Sequence, residues 1–169
     1  MKYLSKLKDC ASLKIILNKY KSKNKTIVFT NGCFDILHPG HIKVLREAKK
    51  RGDILVVAIN SDTSIKKIKD KKRPILNEKA RKEIISSIEF VDYVTIFNEP
   101  TPLNLIKKLR PHIIVKGGDW KVEDIVGRNI VKKIVRIKPI KKYSTTSIIK
   151  KIIGLYNEEQ EKTTKNARC

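Results

Sequence analysis

The densest chemistry in this chain is the run Thr30-Asn31-Gly32-Cys33-Phe34-Asp35-Ile36-Leu37-His38-Pro39-Gly40-His41. Its histidines stand three residues apart around Pro39-Gly40, after a β-branched run (Thr26 to Phe29) and before an amphipathic helical pattern (Ile42 to Lys50). His38 and His41 are therefore expected at a strand-to-helix turn. A helix N-terminus presents unpaired N–H groups and the positive end of the helix dipole, a combination that favours phosphate. Gly40 lets the backbone approach a ligand closely, and the imidazoles add donors at the same place. Alone, such residues would serve equally well as turn and capping groups. Gly32-Cys33-Phe34-Asp35 upstream and the strand before it favour phosphate binding over that plainer role. Asp35 is expected to bond the turn rather than to react.

Such a site has to be held by a scaffold. Strands are expected at Thr26–Phe29, Ile54–Ile59, Tyr93–Ile96, Ile113–Val115 and Ile134–Ile137, all β-branched apolar runs of the kind covered on both faces. Helical patterns fall between them at Ile42–Lys50, Glu78–Ile88, Pro102–Leu109 and Val122–Val131, with a last helix after Ser144. Leu13, Ile16, Leu17 and Tyr20 recur at helical spacing near the N-terminus, with Ser12 as the expected cap. The alternation predicts an α/β fold: a Rossmann-like open parallel sheet flanked by helices. Ligands of such sheets lie outside the C-terminal strand ends, at the switch in strand order. The loops that leave strands are Thr30–His41, Asn60–Asn77 and Lys116–Trp120, so motif and scaffold agree on one place. Lys66 to Arg73 reads as a basic loop crossing the mouth of the site, and His112 as a surface residue. Residues 1–156 are expected to form one domain, with residues 1–24 as an N-terminal helical segment and 157–169 as a disordered polar tail.

Further segments follow the histidine run in order: Asn60-Ser61-Asp62, Arg73-Pro74-Ile75, Thr101-Pro102-Leu103, Arg110-Pro111 leading into Val115-Lys116-Gly117-Gly118-Asp119, and Tyr143-Ser144-Thr145-Thr146. From about Lys25 to about Ile153 the chain resembles the H-x-G-H nucleotidyltransferase superfamily (cytidylyltransferase-like). Within it, the chain is most similar to the heptose 1-phosphate adenylyltransferases. That resemblance implies transfer of AMP from ATP to a heptose 1-phosphate, giving ADP-heptose and pyrophosphate for lipopolysaccharide core synthesis. It implies His38, His41 and Lys69 as catalytic residues. A nucleotide pocket would be made by Thr30, Asn31, Gly32, Cys33, Phe34, Gly40, Lys116, Gly117, Gly118, Asp119, Ser144, Thr145 and Thr146. Asn60, Asp62 and Arg73 are the implied substrate-binding residues. Lys66, Lys67, Lys71 and Lys72 stand close enough to Lys69 to replace it. The family often has Leu-Lys-Gly before Arg-Pro, where this chain has Asp70-Lys71-Lys72. Ser144 to Thr146 suit either a helix cap or a phosphate contact. Mg²⁺ is implied because ATP carries it; no carboxylate cluster in the sequence suggests a dedicated metal site. The enzymatic alternatives are a cytidylyltransferase for glycerol 3-phosphate or an FAD-forming adenylyltransferase.

In-line attack of a phosphate on the α-phosphorus of ATP requires no protein nucleophile, so positioning and charge neutralisation supply most of the catalysis. That agrees with the lack of an obvious nucleophile–base pair. Composition narrows the other choices. The 169 residues carry a net charge of +22, from 39 Lys and Arg against 17 Asp and Glu. A nucleic-acid-binding module is the competing class. The lysines are spread along every helix, and the few aromatics do not interleave with them as stacking platforms would. Three scattered cysteines make neither a disulfide framework nor a zinc site. No long apolar stretch or signal-peptide core is present, so a cytoplasmic protein is expected. The expected partners are ATP and a sugar phosphate, with a homodimer plausible. The sequence has no sugar-kinase-like segment, which leads us to expect a stand-alone transferase.

Overall fold

The computed structural model describes residues 3–69, 72–118, 120–140 and 142–166, with side chains described as far as residue 157. Five strands form one parallel sheet: β1 (Ile27–Gly32), β2 (Ile54–Asn60), β3 (Tyr93–Phe97), β4 (Ile113–Gly117) and β5 (Lys133–Ile137). The spatial order is β3-β2-β1-β4-β5, so the chain reverses direction across the sheet between β1 and β4. The helices are α1 (Cys10–Lys21), α2 (Pro39–Lys49), α3 (Asp62–Ile68), α4 (Glu78–Ser86), α5 (Leu103–Leu109) and α6 (Thr145–Asn166).

Strand periodicity divides the core in two. Ile27 and Phe29 of β1 and Ile54, Val56 and Ala58 of β2 face Leu13, Leu17, Leu105, Ile106 and Leu109 from α1 and α5. Val28, Leu55, Val57 and Ile59 face the other way, onto Leu45 and Ala48 of α2 and Ile85 of α4. Every residue of β2 is buried, as a central parallel strand with both faces covered requires.

The register explains where the sheet opens. β1 pairs with β2 along its whole length, from Ile27 opposite Ile54 to Gly32 opposite Ile59. It pairs with β4 only at Val28 and Phe29, opposite Ile113 and Ile114. Beyond these residues β4 stays with β5 as far as Gly117 and β1 stays with β2. The C-terminal halves of β1 and β4 thus diverge at the switch in strand order, leaving a crevice.

Several local expectations are corrected. Asp9, not Ser12, caps α1: its carboxylate accepts from the N–H groups of Ala11 and Ser12. Part of the expected basic loop is α3, capped by Ser61, whose hydroxyl accepts from Ser64 N, and anchored by buried Ile65. The helix expected at Val122–Val131 is two short 3₁₀ turns, Val122–Asp124 and Arg128–Ile130. Between them Gly127 takes a left-handed φ of 85° against Ile106, which breaks the helical path. His112 is half-buried and its Nδ1 accepts from Ile27 N at 2.8 Å, so it ties β1 to β4 rather than lying free on the surface. The last helix, expected after Ser144, is α6, which runs to Asn166. Its Glu-, Gln- and Lys-rich second half lacks apolar periodicity but has high intrinsic helix propensity. No helix among the described residues is long and apolar enough to cross a membrane.

Candidate active site

The crevice between β1 and β4 is where the sequence motifs meet. Asn31 near the end of β1 and Lys116 near the end of β4 bridge it: Lys116 Nζ donates to Asn31 Oδ1 at 2.9 Å. The same ammonium lies 5.6 Å from the centre of the Trp120 ring. Burial pulls the Lys116 ammonium down to about 8, and no ion pair to it is formed among the described residues. A cation held in this way, with amide oxygens as its acceptors, is poised for an anion.

The turn after β1 is shaped by strained backbone. Phe34 and Ile36 have φ of 49° and 53°, a left-handed conformation costly for non-glycine residues and concentrated at functional sites. The Phe34 ring is buried and meets His41 edge-on at 5.4 Å. His38 is the N-cap of α2: its Nδ1 accepts from Gly40 N at 3.1 Å, with Pro39 in the first turn. That bond assigns the ring proton of neutral His38 to Nε2, leaving an N–H for a ligand. The two imidazoles stack at 3.8 Å. A Cβ at Gly40 would lie 2.9 Å from the His38 ring, so a larger residue here would displace that ring. Burial lowers both histidines below the usual imidazole value; for His41, burial and then the neighbouring His38 bring it to about 4. Both rings are therefore neutral near pH 7. His41 Nδ1 is buried with no hydrogen-bond partner among the described residues.

The surrounding loops are locked by two arginine–carboxylate pairs, each with one fully buried partner. Asp35, fully buried, accepts from Arg73 Nε at 2.6 Å and from the N–H groups of Ile75 and Leu76 at 2.9 Å. Despite the opposing effect of burial, these bonds hold its carboxyl below the usual carboxylate range. Asp35 thus bonds a distant loop rather than its own turn. Arg81 of α4, fully buried, donates to Cys33 O at 2.7 Å, Leu76 O at 3.0 Å and Asp62 Oδ1 at 2.7 Å. Sequence reading passed over Arg81. The available signal was an arginine in the apolar stripe of α4, four residues before Ile85. Thr145 Oγ1 donates to Asp35 O at 2.8 Å and brings the start of α6 against the same turn.

The other expected site residues divide into two groups. Thr30, Gly32, Cys33, Phe34, Gly40, Gly117 and Gly118 lie near or beyond the C-terminal ends of β1 and β4 or in the first turn of α2, Gly118 with φ of 111°. Gly117 packs so closely on α2 that a Cβ would meet Val44 at 2.4 Å. Burial raises the Cys33 thiol, while Lys69, Arg81 and Arg73 pull it the other way. Lys69 is the exposed C-cap of α3, close enough to act on Cys33. Ser144 and Ser147 exchange backbone–hydroxyl bonds of 3.0 Å in a reciprocal cap at the start of α6, and Thr146 is exposed. By contrast, Asn60, Asp62 and Arg73 are engaged internally: Asn60 donates to Ser64, Asp62 accepts from Arg81, and Arg73 pairs with Asp35. Asp119 and Lys71 lie outside the described residues. Among the described residues no group of three or more His, Cys, Asp or Glu could hold a metal.

Asp35 and Asp62 are neutralised by arginines, while Lys116 and the N-termini of α2 and α6 lie beyond or beside the C-terminal ends of the strands without a carboxylate partner among the described residues. The arrangement suits a polyanion. Comparison with known proteins points the same way. A family model described as cytidylyltransferase-like matches residues 29–151. The chain is 44% identical over 159 residues to the bifunctional protein HldE of Geobacter metallireducens, covering 92% of this chain and 32% of that protein. It is 49% identical over 156 residues to the HldE of Campylobacter concisus, covering 92% and 33%. It spans about a third of the length of these curated relatives. Among solved structures, the lipopolysaccharide core biosynthesis protein from Thermoplasma volcanium aligns with TM-score 0.60 at 35% identity, over 69% of this chain and 98% of that one.

Proposed function

The chain belongs to the cytidylyltransferase-like family, and from that premise we propose that it transfers AMP from ATP to a heptose 1-phosphate, forming ADP-heptose and releasing pyrophosphate. A phosphate oxygen of the sugar attacks the α-phosphorus of ATP. The bond from that phosphorus to the oxygen bridging to the β-phosphorus breaks, and the electron pair leaves with pyrophosphate. No covalent intermediate with the protein is needed.

The observation that carries the reading is the stacked His38–His41 pair at the N-terminus of α2, facing the crevice that Lys116 spans. His38 Nε2–H donates to the triphosphate, and His41 Nδ1, buried and unpaired, gains a partner when the phosphates are in place. Both rings are neutral, so they act as oriented dipoles, and cationic charge comes from Lys116 and Lys69. Such preorganised groups are most effective where charge develops, on the departing pyrophosphate. Lys69, at the flexible end of an exposed side chain, is the group to bridge acceptor phosphate and α-phosphate. Mg²⁺ arrives with ATP as part of the substrate: among the described residues, the carboxylates Asp35 and Asp62 beside the turn after β1 are committed to Arg73 and Arg81 and do not fit a protein-held ion.

The choice of ATP and heptose rests on the resemblance of the Asn31–Asp35 and Lys116–Asp119 segments and on the relatives matched over nine-tenths of the chain. The role named for the Thermoplasma volcanium protein, lipopolysaccharide core biosynthesis, agrees with an ADP-heptose product. The reading includes a homodimer, supported by the outward apolar residues of α6. Pyrophosphate release is to be measured with ATP or CTP and with heptose 1-phosphate or glycerol 3-phosphate. ATP with heptose 1-phosphate is expected to be the fastest pair; turnover with CTP equal to or above that with ATP overturns the assignment.

A further inference from the structure

At the opposite end of the sheet from the crevice lies a second strongly basic feature. A cavity of about 470 Å³ opens at the N-terminal ends of β1, β4 and β5, lined by Lys21, Asn24, Lys25, His112, Lys132 and Lys133 among others. The length of β1 separates it from the histidine pair by about 17 Å, at roughly 3.3 Å per strand residue. Its positive charge is poorly compensated. Lys25 pairs with Asp53 at 3.0 Å, whereas Lys21, Lys132 and Lys133 form no ion pair among the described residues. Lys21 Nζ donates to Leu109 O at 2.7 Å, which holds one ammonium at the wall with two donors to spare. His112 is clamped at the back. Its backbone carbonyl accepts from Lys132 N at 3.0 Å and its Nδ1 from Ile27 N at 2.8 Å, so the proton of the neutral ring sits on Nε2.

We propose that this cavity is a second anion site, which takes a compact, multiply charged phosphate compound. Like-charge crowding marks it out: burial lowers Lys21, and Arg110 and Lys14 push it further; burial lowers His112, and Lys21 and Lys132 add to the shift. An anion in the cavity would relieve the repulsion among Lys21, His112 and Lys132, which line it. The volume lies in the range of small-molecule pockets, about 300–1,000 Å³. The wall carries no Trp, Tyr or Phe on which a base would stack, so the occupant is a polyphosphate or sugar bisphosphate rather than a nucleotide recognised by its base. Through His112 it would brace the starts of β1, β4 and β5. The proposal holds whichever nucleotide the active site uses.

The test is calorimetric titration with inorganic tripolyphosphate, together with melting temperatures. The wild-type protein is expected to show two sites. Lys132→Ala with Lys133→Ala, both on exposed residues away from the machinery described above, is expected to remove one of them. Each lysine should weaken that site by about tenfold, the size of one charge-assisted contact, with turnover unchanged. Titration of the His38→Ala/His41→Ala double variant should leave the Lys132/Lys133-dependent site intact and still raise the melting temperature. A single site that vanishes in the histidine variant overturns the proposal. So does equal weakening by Lys107→Ala with Lys108→Ala, which would mark diffuse attraction to a basic surface. Retention of a single-stranded oligonucleotide through Lys132 and Lys133 with no tripolyphosphate binding would make the face a nucleic-acid surface instead. Fructose 1,6-bisphosphate in place of tripolyphosphate distinguishes a sugar bisphosphate from a polyphosphate occupant.

Discussion

His38 does two jobs that substitution can separate. Its Nδ1 caps α2 while its Nε2–H is free to donate. His38→Ala is expected to lose about 1 kcal/mol of stability with the cap, and activity by about two to three orders of magnitude with the donor. His38→Asn restores a capping oxygen, so it should melt near the wild type yet stay inactive; near-normal turnover in His38→Asn would show that the ring donates nothing to the reaction. Titration adds two further expectations. The folded value of about 4 for His41 lies below the ordinary imidazole value of about 6.5. The unfolded chain therefore binds the extra proton first: the stabilising contribution is full above about pH 6.5 and is lost as pH falls toward 4. Urea midpoints at pH 7 and pH 4.5 should differ less in His41→Gln than in the wild type. For Lys116, held at about 8, the charged form that meets phosphate is depleted as pH rises through 8. The ratio kcat/KM for ATP should decline over that interval, and Lys116→Arg should carry the decline to higher pH.

At the scale of elements, Arg81 holds the site together without facing the ligand. It joins the carbonyls after β1 and before α4 to Asp62 at the start of α3. Arg81→Met removes a fully buried guanidinium and leaves the carbonyls of Cys33 and Leu76 without their donor, while Asp62, 28% exposed, regains some solvent; it should cost about 2–3 kcal/mol. Denaturant unfolding measures this directly, and a loss under 1 kcal/mol would mean that the loops hold by packing alone. Its position was legible only in part. The apolar spacing of Ile84, Ile85 and Ile88 marks α4 as a helix, but nothing in that spacing shows that an arginine on the same face finds three acceptors in distant loops. The breaks between Val122 and Val131 were hidden for a similar reason: helical spacing was present, and the contact of Gly127 with Ile106 overrode it.

The net charge of +22 gives the molecule a basic surface, and α6 carries an apolar strip on it. Ile152, Ile153, Leu155 and Tyr156 on α6 are 54–61% exposed, a contiguous strip suited to burial against a second copy. A dimer formed through this strip must bring two chains of charge +22 together. Added salt should therefore strengthen it, because the Debye length shrinks from about 30 Å at 0.01 M to about 8 Å at 0.15 M. Sedimentation velocity at these two ionic strengths checks the expectation, with Ile152→Glu and Tyr156→Glu holding the chain monomeric. A monomer at every salt concentration would leave the strip without a self-partner.

What the sequence determined by itself is whatever depends on local spacing. The β-branched runs placed all five strands to within a few residues, because strands buried on both faces must be apolar throughout. The Gly-Cys-Phe-Asp and His-Pro-Gly-His spacings placed both histidines at a strand-to-helix turn, where a helix N-terminus offers donors whatever surrounds it. Tertiary structure decided which polar side chains face the crevice and which are spent inside. Asn60, Asp62 and Arg73 occur in motifs as marked as those of the histidines, yet each is bonded within the protein: Asn60 to Ser64, and Asp62 and Arg73 to the fully buried charges of Arg81 and Asp35, which must find partners. The divergence of β1 from β4, the neutral state of both imidazoles and the buried Lys116–Asn31 bridge likewise depend on residues brought together from far apart in the chain. Spacing along a sequence fixes direction over a turn or two. Pairing, burial and proton affinity are set by neighbours that only the fold supplies.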